Sequence, residues 1–172
     1  MSQYGFADPI EESGMVFRSL QSSNLYYIEK SEAYRRIGQG YKSVEFVYLR
    51  EGGIIDFIEA KSGAPRLGKA DSSDFDKFKA SIVDKYLHSF QLFLSVLLGR
   101  NVRDGLGQGI ACCEFPNIRL RFLLIINDLN DVEALQTYQE VFRREMSKLL
   151  NIWHVTVMVI DDKRAREMSF ID

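Results

Sequence analysis

"SVEFVYLREGGIIDFIEAKS", residues 43–62, decides the fold. β-Branched and aromatic residues flank Glu51-Gly52-Gly53, the pattern of two strands joined by a tight turn. It predicts a strand over 41–50, paired across 42–49 with a return strand over 54–61. A three-residue loop at 51–53 sets Arg50 opposite Ile54, and Glu45 then falls directly opposite Glu59. A two-residue loop at Gly52-Gly53 would send the two glutamates to opposite faces, because a one-residue slip inverts every side chain. Glycine at the third loop position suits the left-handed backbone that the three-residue loop requires.

In that three-residue register Glu45, Glu59 and Lys61 share a face with Val47, Leu49, Ile55 and Phe57. Val44, Phe46, Tyr48, Ile54, Ile58 and Ala60 take the other. Both faces are apolar, so the hairpin is expected inside a sheet covered on two sides. A carboxylate in such a strand is costly unless compensated, and two opposed carboxylates repel. A divalent cation with hard oxygen ligands relieves both problems and places Lys61 beside a metal-bound water. The bland alternative is a solvated strand end, where a Glu–Lys pair is worth little.

Outward from the hairpin, Met15–Leu20 predicts a short strand, and Leu25–Lys30 a strand or the start of a helix. Ser31 suits the N-cap of a short helix ended by Gly38. A long helix is expected over 74–98: Ser73 can cap it, and Phe75, Phe78, Ile82, Tyr86, Phe90, Phe93 and Leu97 recur every three or four residues. Residues 100–109, with three glycines, read as a flexible connection; they follow a helix and lack the lysine of a phosphate-binding loop. A buried strand over 118–126, a second long helix over 131–150 and a strand over 154–160 follow, with one more short strand in the tail.

The 172 residues, 46% hydrophobic and 27% charged, fit one globular domain able to bury a core. Residues 1–14 read as a loose N-terminal arm without the pattern of a signal peptide, and no apolar run reaches membrane-spanning length. The only cysteines, Cys112 and Cys113, are adjacent and lack the second pair a zinc site needs, so reduced thiols and a cytoplasmic location are expected. A net charge of −2, with no basic run, excludes a broad electrostatic sponge for nucleic acid; a polyanion would meet a local patch.

The hairpin resembles the core of the PD-(D/E)xK nuclease superfamily, which includes Holliday-junction resolvases, restriction endonucleases and RecB-like nucleases. In that family an acid on one strand is followed, after a hairpin, by (D/E)-x-K on the next, here Glu45 and then Glu59-Ala60-Lys61. The resemblance implies an α/β fold, a central mixed β-sheet flanked by helices, with a restriction-endonuclease-like αβββαβ core over 25–126. The helix and strand within 127–172 would be an added C-terminal extension of the same single domain. It implies metal-dependent phosphodiester hydrolysis, with Mg²⁺ or Mn²⁺ held by Glu45, Glu59 and the Ala60 carbonyl, and with Lys61 catalytic. The first-helix acid of many members has two candidates here, Glu29 and Glu32. Arg66 and Lys69, just after the triplet, would grip phosphates. Lys85, His88 and Gln91 on the next helix receive no role. The expected partner is a nucleic acid, DNA ahead of RNA, with a homodimer or larger complex also open. Two rival readings are an inactive nuclease-like binding or scaffolding module, and a small interaction protein whose Glu–Lys pair is structural.

Overall fold

The computed structural model describes residues 5–65 and 72–171. Its centre is a five-stranded mixed sheet, ordered β3(Leu25–Tyr26), β4(Phe46–Arg50), β5(Ile54–Lys61), β6(Arg119–Ile126) and β7(Thr156–Asp161). Strand β4 runs antiparallel to both of its neighbours, β3 and β5, and β5, β6 and β7 run parallel. Parallel neighbours need long crossovers. Helix α2(Ser72–Leu97) and the short α3(Gln108–Ala111) lie between β5 and β6, and α4(Val132–Glu145) and α5(Ser147–Trp153) between β6 and β7. The expected mixed α/β sheet flanked by helices is therefore present. The third antiparallel strand, β3, precedes the short helix α1(Glu32–Ile37) rather than following it.

The hairpin register is the three-residue one. Phe46 pairs with Ile58 and Arg50 with Ile54, and the Glu45 N–H donates to the Ile58 carbonyl at 3.0 Å. Gly52 and Gly53 take positive φ of 81° and 70°, which a side chain would resist. Strand β4 begins at Phe46 and not near residue 42, because α2 takes the preceding backbone. The Val44 N–H donates to Ser89 Oγ at 2.8 Å, and the Lys42 N–H to His88 Nδ1 at 3.2 Å. Drawn off the ladder, Val44 joins the α2-side core rather than the opposite face expected for it.

Both faces of the sheet are covered. On one, α2 and α4 pack Tyr86, Phe90, Phe93, Tyr138 and Phe142 over Val47, Ile55, Phe57 and Phe122. Phe122 is the hub, stacked on Tyr86 at 4.6 Å and edge-on to Phe57 at 5.4 Å. Such aromatic pairs add about 1 kcal/mol each beyond burial. On the other face, helix α6(Asp162–Glu167) and an N-terminal hairpin, β1(Ile10–Glu12) and β2(Met15–Phe17), close over Phe46, Ile58, Leu123 and Ile125.

Several expected elements differ. The arm expected over 1–14 contains β1, held down by buried Ile10, with Ser13 and Gly14 forming a two-residue turn of positive φ. The second long helix is two helices: Met146, with φ −101° and ψ 11°, separates α4 from α5. The tail forms α6 instead of a strand, because the Asp161 carboxylate caps it by accepting from the Arg164 N–H. The 100–109 segment is docked: the Gly107 N–H donates to the Leu25 carbonyl at 3.0 Å, and Leu106 bridges to Tyr26. A side chain at Gly107 would land on the Ser23 carbonyl, so this glycine serves a close backbone approach.

Candidate active site

At the carboxyl end of β5 the alternation of the strand turns Glu59 and Lys61 toward α2, beside Phe57. The Glu59 side chain is wholly buried, and Glu45, just before β4 with its N–H on the Ile58 carbonyl, is 7% exposed. Lys61 Nζ lies 2.7 Å from Glu59 Oε1. The three residues read as the core of the site thus lie together on the α2 side of the hairpin, although Glu45 itself falls just outside the paired ladder.

A fourth residue completes the cluster. Lys85 Nζ, from the middle of α2, lies 2.8 Å from Glu59 Oε1, 3.0 Å from Glu59 Oε2 and 3.5 Å from Glu45 Oε1. It touches both carboxylates. A signal for it existed in the sequence: Lys85 stands three residues after Ile82 and four before Ser89, inside the stripe that α2 turns to the core. A lysine in such a stripe needs a buried anion.

The electrostatics follow from burial. The Glu45 carboxyl is pushed up from its usual 4.5 to about 7, first by burial and then by the Glu59 charge, with Lys85 opposing and Glu12 and Glu29 adding. Burial also raises Glu59, against the pull of Lys85 and Lys61. Burial lowers the Lys85 ammonium, but the charge and hydrogen bond of Glu59, then Glu45 and Glu29, outweigh it and leave it above an ordinary lysine. Two buried polar atoms among the described residues lack a hydrogen-bond partner, Glu59 Oε1 and the Tyr86 hydroxyl. The first is paired by charge at 2.7 and 2.8 Å without hydrogen-bond alignment.

The remaining expected site residues divide. Glu29 stands close: its carboxylate accepts from the Ser43 hydroxyl at 3.1 Å, and its charge reaches both Glu45 and Lys85. Glu32 points elsewhere, paired with Arg35 and Arg36 on α1. The Ala60 carbonyl accepts from the Ser13 hydroxyl at 3.0 Å, so the N-terminal turn covers it. Arg66 and Lys69 lie outside the described residues. His88 is structural, accepting from the Lys42 backbone and packing on Tyr41. Both cysteines are free thiols that follow α3.

The donor set is two carboxylates, one carbonyl and a nearby third acid, all hard oxygens of the kind Mg²⁺ and Mn²⁺ take. Glu59 Oε1 is already met by two ammoniums, so an ion bound there would take the place of one of them. Among the described residues no group of three or more acidic, histidine or cysteine side chains converges closely enough to hold a metal by side chains alone. Opposite this face, β5 and β6 bury a separate pair, Asp56 with Arg121 at 2.5 and 2.8 Å. No helix among the described residues is long and apolar enough to cross a membrane. No family model, no curated protein and no solved structure matches the chain.

Proposed function

We propose that the protein hydrolyses phosphodiester bonds of nucleic acid with Mg²⁺ or Mn²⁺ held at Glu45 and Glu59. One observation carries the reading: two buried carboxylates, Glu45 just before β4 and Glu59 in β5, within reach of one Lys85 ammonium, beside a lysine that ends the strand of Glu59. The Ala60 carbonyl would complete the set once the Ser13 hydroxyl turns away, and Glu29 stands behind it. A divalent cation there supplies Lewis acidity, acidifying water and neutralising charge on a phosphate oxygen.

The chain's own residues do the rest. Glu45 and Glu59 concentrate negative charge where a cation is needed. Burial keeps that charge in a medium where each electrostatic contact counts for more than in water. Lys61, the more exposed of the two lysines, orients the attacking water and stabilises the negative charge that grows on the phosphate. DNA is the favoured substrate.

The test is cleavage of labelled single-stranded, duplex and branched DNA, and of RNA, with Mg²⁺, with Mn²⁺ and with chelator. Cleavage that needs metal and disappears in Glu59→Gln supports the reading. A specific observation favours a second one: Lys85 neutralises the opposed acids without any metal. In that case the chain is a nuclease-like binding or scaffolding module. Protein that cuts none of these substrates, and binds them equally in metal and in chelator, moves the conclusion there.

A further inference from the structure

We infer that Lys85 is the resident cation of this site: its ammonium holds the place between Glu45 and Glu59 and exchanges with an incoming divalent ion. The inference rests on the metal reading above and concerns how that site is governed. Among the described residues Lys61 pairs with Glu59 and with no second acid, whereas Lys85 Nζ lies 2.8 and 3.0 Å from the Glu59 oxygens and 3.5 Å from Glu45. A cation shared by both acids would stand where Lys85 stands.

The geometry also says which partner moves. Glu59 is fixed in the strand ladder with its side chain fully buried. Lys85 hangs on a flexible four-carbon stem from a helix, with 17% of its side chain reaching solvent. Such a side chain can withdraw its charged head to water while its stem stays packed. With Glu45 and Glu59 both ionised, the two ammoniums balance the two carboxylates, so the cluster needs no metal for charge balance. When a divalent ion enters and Lys85 withdraws, the two acids are neutralised by the ion, and Lys61 remains as excess positive charge. The exchange turns a neutral site into a cationic one, which suits an anionic substrate.

Two measurements test this. The first is Mn²⁺ titration calorimetry on wild type, Lys85→Gln and Glu59→Gln, with melting in Mn²⁺ and in chelator. Lys85→Gln should bind Mn²⁺ at least about tenfold tighter than wild type, since a charge a few ångströms from the ion is gone. It should melt below wild type in chelator and recover in Mn²⁺. The second needs no variant. Lysine methylation read by mass spectrometry should label Lys85 several-fold faster when Mn²⁺ is added, with exposed Lys77 unchanged as the control.

Wild type that binds Mn²⁺ through Glu59 but shows no tighter binding in Lys85→Gln and no change in Lys85 labelling overturns the exchange and leaves the metal site standing. Absence of Mn²⁺ binding in both wild type and Lys85→Gln overturns both. If Lys85→Gln does not fold in chelator or in Mn²⁺, the labelling experiment alone decides.

Discussion

Replacing Glu45 by glutamine isolates the electrostatic cost of the opposed acids. Glu45 is 7% exposed, and its carboxyl titrates near 7 rather than at the usual 4.5. Its folded-state value is raised, so between those two values the native state holds a proton that the unfolded chain has lost. Stability from this group is fully present below pH 4.5 and is lost as pH rises through about 7. The interval from 4.5 to about 7, at about 1.4 kcal/mol per pH unit, amounts to about 3 kcal/mol. Glutamine carries no titration and keeps the shape. Lys85 retains Glu59 at 2.8 Å in the variant, so no ammonium is orphaned. Asp56, on the far face, is common to both proteins and drops out of the difference. The assay is urea unfolding of both proteins from pH 4.5 to 8 without metal. The curves should meet near pH 4.5 and separate until Glu45→Gln is the more stable by about 3 kcal/mol at pH 8. Parallel curves would refute the reasoning. So would a variant less stable than wild type at pH 8, because the ion pair with Lys85 would then outweigh the burial and repulsion at Glu45.

Lys61→Ala should keep Mn²⁺ binding by calorimetry while cleavage falls by about a hundredfold or more, the usual loss for one preorganised charge at a developing oxyanion. Arg121→Met leaves the buried Asp56 carboxylate without its partner and should cost about 3–5 kcal/mol in urea unfolding; adding Asp56→Leu should recover most of that loss. Tyr86→Phe removes a buried hydroxyl with no hydrogen-bond partner, keeps the ring stacked on Phe122, and should leave stability unchanged or raise it by about 1 kcal/mol by thermal melting.

The hairpin was legible because its information is local. Period-two alternation, the Glu51-Gly52-Gly53 loop and positive φ at Gly53 agree with the three-residue register, which pairs Phe46 with Ile58 and leaves Glu45 just beyond the ladder. The Ser31 cap and the long apolar stripe of α2 were legible for the same reason, since capping and helical periodicity act within a few residues. The Ser13-Gly14 turn carried a local signal too, but strands β1 and β2 are three residues each and persist only because Ile10, Met15 and Phe17 find the far face of the sheet.

Sequence by itself determined that strands β4 and β5 pair and that both faces of the hairpin are too apolar for bare carboxylates; it left two registers, of which one puts Glu45, Glu59 and Lys61 on a shared face. Only the tertiary structure decided what compensates them. Which residue of α2 meets the carboxyl end of β5 depends on how the helix is rotated and shifted over the sheet, and that is set by the packing of Tyr86 on Phe122 and of Phe57 between Phe90 and Phe93. That packing delivers Lys85 to both acids, while the far-face packing of β1 and β2 brings Ser13 to the Ala60 carbonyl, and the Ser43 hydroxyl holds Glu29, not Glu32, at the site's edge. Spacing along the chain carries no such information, because these meetings join residues 14 to 47 positions apart and arise from summed burial rather than from any local preference.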